Sequence, residues 1–395
     1  MSAREPYPFP FEREVATEPP AIYARLQREE PVAPVRLPTG DPAFAVTRYE
    51  DTRTVLSDPR FSANRNRPGA PRPVAMARDD SMVGMDPPDH TRLRRLSSRA
   101  FTVRQVDRLR PYIERTVHEL LDQMAACAPP VDLVQAIAVP LPATVICDLL
   151  GVPFADRTVL RELSSRLFSY TAFSLAEMVA ARDRLRAFMA DLIEVKRAEP
   201  GEDILSAMIA ARDEGEKLSE FELVSQAMLM LLAGNETSVN QIGNGAVTLL
   251  THPDQLALLR DDPAVATTAV EELLRHDPPA DGGQLRIALE DIELSGTTIP
   301  AGSAVLACVP VANRDPGTFG DPDRLDITRA DNPHLTLGHG PHFCLGAALV
   351  RAELQILFPA LLRRFPGLRL AVPLTELRWQ RGMRVSGYAQ VPVGW

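Results

Sequence analysis

The segment LGHGPHFCLGAAL, residues 337–349, sets one thiol, Cys344, between a glycine-rich loop and an apolar helical pattern. Gly338, Gly340 and Gly346 permit turns that a residue with a Cβ resists. From Leu345 onward, LGAALVRAELQILFPALLRRF has the spacing of a long amphipathic helix. A cysteine at a helix N-terminus meets unpaired amides and the positive end of the dipole, and both favour its thiolate. No Cys or His partner stands nearby at zinc spacing. A lone thiolate suits a metal held by a single protein ligand. A haem iron meets that description, because the porphyrin supplies the equatorial ligands. The plain alternative is a buried cysteine in a helix-capping loop.

A second group lies in LLAGNETSVNQ, inside a helical pattern running from about residue 219 to 250. Val224, Ala227, Met228, Leu231 and Leu232 recur at helical spacing and predict burial. Gly234, Asn235, Glu236 and Thr237 then interrupt the apolar run. Glycine in a helix interior costs about 1 kcal/mol relative to alanine. A buried glutamate needs a partner, water or a raised pKa. Local violations of this kind often mark functional sites, and a hydroxyl beside a carboxyl suits proton relay. A kinked helix with a solvent-facing polar turn is the alternative. Further on, Glu272 and Arg275 in VEELLRHDPP lie three apart on one helix face and suit an ion pair, a spacing that chance also produces. Residues 90–110 carry seven arginines against one acid, although the whole chain has a formal net charge of −9. That overall charge speaks against general nucleic-acid binding.

The elements that must position these residues are mainly helical. Helices are predicted at roughly 88–101, 103–126, 140–150, 156–168, 176–198, 203–213, 219–250, 254–261 and 264–276. Two more are read at PAIYARLQ and YEDTRTVLSD. APVRLP and AFAVTR form a strand pair, RIALEDIEL, SGTTIPAG and SAVLACVPV are further strands, and the tail from GLRLAVP to YAQVPVGW reads as strands. The stretch 60–85 is irregular and long enough to suggest a functional loop. With 395 residues, 45% of them hydrophobic, a large core is expected. No linker divides the chain, so a single large domain spanning 1–395 is expected, with 1–20 a proline-rich arm and 333–350 the cysteine loop and start of its helix. No apolar run is long enough to span a bilayer and no signal peptide is visible. Cys147 and Cys308 read as small core hydrophobes, Cys127 ends a helix, and nothing resembles a disulfide framework. A soluble, cytoplasmic protein without a membrane partner is the expectation.

The cysteine segment resembles the ligand loop of the cytochrome P450 family, soluble bacterial type. That pattern, Phe-Gly-x-Gly-x-His-x-Cys-x-Gly, is met everywhere except at its first position, where Leu337 stands for the aromatic residue. LLAGNETSVNQ is similar to the family signature Ala/Gly-Gly-x-Asp/Glu-Thr, and VEELLR to its Glu-x-x-Arg helix. The resemblance covers almost the whole chain, with the motifs in the expected order. It implies a mainly α fold with small β-sheets and a haem b whose axial thiolate is Cys344. It implies that Gly234 lets the helix approach oxygen, and that Glu236 and Thr237 organise water and deliver protons. Asn235 falls at a variable position. By the same resemblance Glu272, Arg275 and Arg324 form a structural network, and His90, Arg94, Arg286 and His342 hold the haem propionates. Arginine's fork of donors suits that task. His118, His252, His276, His334 and His339 have no such match and are read as ordinary histidines.

The resemblance further implies a monomeric monooxygenase fed with electrons from NAD(P)H through ferredoxin reductase and ferredoxin. Arg92, Arg95, Arg99, Arg104 and Arg108 are then either a basic patch that attracts an acidic ferredoxin or a solvated face. DPPDHTRLRRL and LRWQRGMRV are similar to actinobacterial members that tailor macrolides, peptides and indole alkaloids. The implied outcome is hydroxylation or epoxidation. Oxidative C–N or C–C ring closure by the same oxidant is the alternative, and a non-catalytic haem-binding sensor or carrier is a third. Substrate contacts are implied at Met76, Met82, Val83, Phe168, Phe173, Met230, Ala233, Leu285, Ile287 and Met383. Gly282 and Gly283 would leave room for a large molecule, and Arg65, Arg67 and Arg72 could meet an anionic one.

Overall fold

A computed structural model describes residues 5–74, 81–98, 101–153, 156–213, 218–279 and 283–395. The chain begins with β1 (Tyr7–Pro8), α1 (Ile22–Glu29), β2 (Val32–Arg36), β3 (Pro42–Val46), α2 (Tyr49–Ser57) and β4 (Phe61–Ser62). The helical body follows as α3 (Asp89–Ser98), α4 (Val103–Ala125), a short strand β5 (Val131–Asp132), α5 (Pro140–Leu150), α6 (Arg157–Leu167), α7 (Leu175–Ala198), α8 (Ile204–Asp213), α9 (Glu220–Leu250), α10 (Pro253–Asp261) and α11 (Ala266–His276). Then come β6 (Gln284–Ala288), β7 (Ile292–Leu294), β8 (Thr297–Ile299), β9 (Ala304–Ala307), α12 (Val309–Ala312), α13 (Ala347–Arg364), β10 (Arg369–Leu370) and β11 (Pro392–Gly394). The result is the mainly α, single-domain architecture expected. Among the described residues no helix is long and apolar enough to cross a membrane.

The helix α9 is the spine of the body. It starts in a capping box, with Ser219 and Glu222 each bonding the other's backbone amide, which satisfies amides that a helix start leaves open. Its apolar face joins two cores. One is shared with α4, α11 and α13 through Ile242, Ala246, Ile113, Leu121, Leu273 and Leu354. The other is shared with α5 and α7 through Leu223, Met230, Ile146, Leu185 and Met189. The six-stranded sheet has the order β1-β2-β3-β9-β6-β4. Side chains alternate along a strand, so in β6 Leu285 and Ile287 share one face and Arg286 takes the other. Leu285 and Ile287 are buried against Leu306, Ala45 and Tyr170.

One expectation needs correction. The tail is mostly irregular, with β10 and β11 only two and three residues long and isolated bridges at Ser169–Met383 and Trp379–Tyr388. The proline-rich arm packs on the body through a few side chains. Phe9 and Phe11 are buried, and the Arg13 guanidinium lies 3.7 Å from the centre of the Trp379 ring and 3.4 Å from Asp277.

Candidate active site

The cysteine loop is built on two glycines in the left-handed region, Gly338 (φ +78°) and Gly340 (φ +69°). A Cβ on Gly340 would lie 2.8 Å from the Cα of Ser57, so only glycine lets the loop rest on the end of α2. The loop then closes on itself. The Cys344 amide donates to the Leu337 carbonyl (2.7 Å) and the Gly338 amide to the Leu335 carbonyl (2.8 Å). Leu337 is buried in the core shared by α4, α9 and α13. Cys344 remains partly exposed. Burial pushes its thiol up, while the Gly346 amide and the Arg94 and Arg351 charges oppose that rise. Among the described residues no group of three His, Cys, Asp or Glu side chains could hold a metal ion.

Basic side chains gather around this loop. The Arg94 guanidinium donates to the Phe343 carbonyl (2.6 Å), next to Cys344. The rings of His90 and His342 lie 4.1 Å apart, tilted by 37°. Arg286 is buried and donates to the Leu285 carbonyl. His90 Nε2 is buried with no hydrogen-bond partner among the described residues. The electrostatics record the crowding. His342 is driven down to about 3 by burial and then by Arg286, His90, Arg94 and Arg65. Arg286 falls to about 10 through burial and the nearby Arg65, with Asp86 opposing. Burial and Arg94 lower His90 as well. Buried cations require counter-charges, and among the described residues Asp86, already held by Ser62 and the Ala63 amide, opposes the shifts in both His90 and Arg286. The surroundings therefore fit a ligand bearing two carboxylates beside a thiol, which is the chemistry of haem. Arg65, read from the sequence as a residue that could meet an anionic substrate, also acts on this cluster; that link was missed because it lies twenty-five residues before His90.

Across α9 the polar turn does not break the helix, which runs without a gap from Glu220 to Leu250. Ala233 is the sole exposed residue from Leu223 to Leu250, so the helix borders an open space at that point. Thr237, one turn on and on the same face, donates its hydroxyl proton to the Ala233 carbonyl (2.8 Å). Its oxygen is then left to accept from whatever occupies the space. At Gly234 a Cβ would lie 2.9 Å from the Ile146 side chain, so this glycine also lets α9 pack closely on α5. The Glu236 carbonyl accepts from Asn240 (2.8 Å), and Asn235 is buried. Behind Thr237, Ser238 hydrogen-bonds the fully buried Glu353 of α13, whose carboxyl burial raises to about 8.

In the structural network, Arg275 forks onto Glu272 at 2.8 Å through both Nε and Nη2, with both side chains fully buried. Arg324 is not the third side chain. It is exposed and offers only its carbonyl to Arg275 (3.2 Å). Arg329 completes the network, 3.2 Å from Glu272. The sequence motif could not separate two arginines five residues apart in an irregular meander.

The substrate contacts fare unevenly. Ala233 borders the open space, and the bridge joining Ser169 to Met383 brings Phe168 and Met383 together. The Arg384 amide donates to the Phe168 carbonyl (2.7 Å), and the Tyr170 and Thr171 amides donate to the Gly382 carbonyl (2.7 and 2.9 Å). Phe173 is half-buried near Arg166 (5.9 Å), and Val83 is exposed. Leu285 and Ile287 are corrected to core residues by strand alternation, and Met82 and Met230 are buried in the second helical core. Gln284 shares the face of Arg286 and is exposed; it is the missed candidate on this strand. A Cβ on Gly283 would lie 2.7 Å from Leu306, so that glycine serves sheet packing. Met76, Arg99 and Gly282 lie outside the described residues. In the basic segment, Arg92 is paired with Glu222, while Arg95, Arg104 and Arg108 are exposed.

Comparison with known proteins agrees with this geometry. The sequence profile of the family described as Cytochrome P450 matches residues 14–368. The chain is 44% identical, over the full length of both proteins, to nocardicin C N-oxygenase of Nocardia uniformis subsp. tsuyamanensis. It is also 44% identical, again over the full length of both, to mycinamicin IV hydroxylase/epoxidase of Micromonospora griseorubida. Its fold superimposes with a TM-score of 0.97 on the crystal structure of SgvP, a candidate thioether synthase in the tailoring step of griseoviridin, at 48% identity with 99% of this chain and 100% of the other covered. With a family profile spanning most of the chain and a cysteine loop ringed by cations, this protein belongs to the cytochrome P450 family and is a haem-thiolate monooxygenase.

Proposed function

We propose that this enzyme oxidises a small-molecule natural product, with electrons delivered from NAD(P)H by a ferredoxin reductase and a ferredoxin. The observation that carries the reading is the convergence of Cys344 with His90, Arg94, Arg286 and His342, tied together by the Arg94–Phe343 contact. The bound haem supplies activation of dioxygen. The protein's own residues do the rest. Cys344 would hold the haem iron through its thiolate. Arg94, Arg286, His90 and His342 would neutralise the propionates. Thr237, its proton given to Ala233, would hold a water or hydroxyl group in the open space by accepting its hydrogen bond. Glu236 would pass protons inward along α9. Arg95, Arg104 and Arg108 offer an acidic ferredoxin an exposed basic surface.

The related proteins act on nocardicin C and mycinamicin IV, by N-oxygenation and by hydroxylation or epoxidation. They support a secondary metabolite of macrolide or peptide type as substrate. The four free cysteines support the cytoplasm as its compartment. Turnover with a surrogate ferredoxin and reductase under ¹⁸O₂ tests the reading on such compounds. Hydroxylation or epoxidation places one labelled oxygen in the product. Ring closure removes two hydrogens and places none. NAD(P)H consumption that no natural-product substrate stimulates would contradict the proposal.

A further inference from the structure

One cluster of charged groups beside the cysteine loop belongs neither to the cation ring nor to the Glu272 network. Glu271 of α11 receives a fork from Arg351 of α13, Nε to Oε1 and Nη2 to Oε2, both at 2.7 Å. It also receives His334 Nε2 at 3.1 Å. The Thr336 amide donates to His334 Nδ1 (3.3 Å), so the ring proton that Glu271 accepts sits on Nε2. Burial opposes ionisation of Glu271, but the hydrogen bonds from Arg351 and His334 bring it down to about 2.

The positions of these partners give the cluster its meaning. His334 stands where the chain enters the cysteine loop, three residues before Leu337, whose carbonyl receives the Cys344 amide. Thr336 fixes the same segment through its hydroxyl on the Leu274 carbonyl (2.6 Å). Arg351 stands in α13, where the chain has left the loop. One carboxylate therefore grips the loop at both ends. Glu272, its neighbour on α11, braces a different segment, the meander at Asp326, Arg329 and Asn332. Arg351 also carries the cation whose field reaches Cys344.

We propose that Glu271, through Arg351 and His334, is a positioning residue for the Cys344 ligand: it holds the sulfur in place and cancels the Arg351 charge that would otherwise fall on it. The proposal rests on the reading of Cys344 as the haem ligand. Groups behind a metal ligand set its orientation and electronics, and losing one costs about tenfold or more.

The test uses haem-loaded wild type, Glu271→Gln, Glu271→Asp and the charge-swapped double variant Glu271→Arg with Arg351→Glu. The ferrous carbon monoxide spectrum gives the ratio of thiolate-type to thiol-type bands, and spectroelectrochemistry gives the midpoint potential. For Glu271→Gln the band ratio should fall by about tenfold and the potential should rise. Glu271→Asp should recover much of both, and the swapped pair only the part carried by the contact with α13, since it leaves His334 without an acceptor. A Glu271→Gln protein with the wild-type ratio and potential would overturn the proposal. So would a loss that neither rescue variant repairs with the potential unmoved, since that is destabilisation alone. Should Glu271→Gln fail to retain haem, Arg351→Met probes the same contact from the other side. The same fall in band ratio is expected there, with a potential that falls instead of rising because the cation itself is gone, and wild-type values overturn the proposal. A wild-type protein lacking the thiolate band would instead refute the haem-thiolate reading itself.

Discussion

Replacing Glu353 with glutamine should stabilise this protein, and increasingly so as the pH rises. Glu353 is only 1% exposed, sits on α13 against α9, and has a carboxyl raised from 4.5 to about 8 by burial, with Ser238 opposing. Its folded-state pKa lies above its unfolded value, so the folded protein keeps a proton that the unfolded chain releases. The associated stability is fully present below about pH 4.5 and is lost as the pH climbs to about 8. At pH 7 the gap spans about 2.5 pH units at about 1.4 kcal/mol each, or about 3 kcal/mol. Glutamine does not titrate and keeps an oxygen for Ser238. Urea unfolding of both haem-loaded proteins at several pH values measures the difference directly. The variant should gain about 3 kcal/mol on the wild type between about pH 5.5 and pH 8.5. A stability difference that stays flat across that range would refute the argument, because it would show that Glu353 titrates alike in the folded and unfolded chains.

Other consequences follow from the site. Thr237→Ala removes the acceptor beside Ala233, so NAD(P)H consumption should continue while product per NAD(P)H falls by about tenfold or more, the electrons appearing as hydrogen peroxide; parallel product and peroxide assays decide it. Gly234→Val drives a branched side chain into Ile146 and should cost about 2 kcal/mol in urea unfolding, whereas a glycine kept only for oxygen access would change activity and leave stability alone. Arg286→Met removes a buried charged donor from the cation cluster and should speed haem transfer to apomyoglobin about 10- to 100-fold; an unchanged rate would place the propionates elsewhere.

What the sequence revealed and what it hid follow from one physical distinction. Cys344 and its glycines were legible because a tight loop needs fixed residue types at fixed spacing. The helices were legible because burial on one face imposes a period, and α9 keeps that period through its polar turn. Contacts between distant segments have no such signature. Nothing near Arg324 signals that Arg329 reaches Glu272, and nothing near Arg65 signals that it acts on Arg286. Gly234 shows the same limit. Its motif was visible, but its close packing on Ile146 depends on a helix almost ninety residues earlier. Leu285 and Ile287 were misplaced for a reason available from the start, since strand alternation already sets them opposite Arg286.

The most direct measurement is the absorption spectrum of the purified, dithionite-reduced protein under carbon monoxide, recorded for wild type and Cys344→Ser. The account predicts a strongly red-shifted Soret band in the wild type that disappears in the variant. A wild-type band at the position of histidine-ligated haem, or a red-shifted band that survives the loss of Cys344, would contradict it.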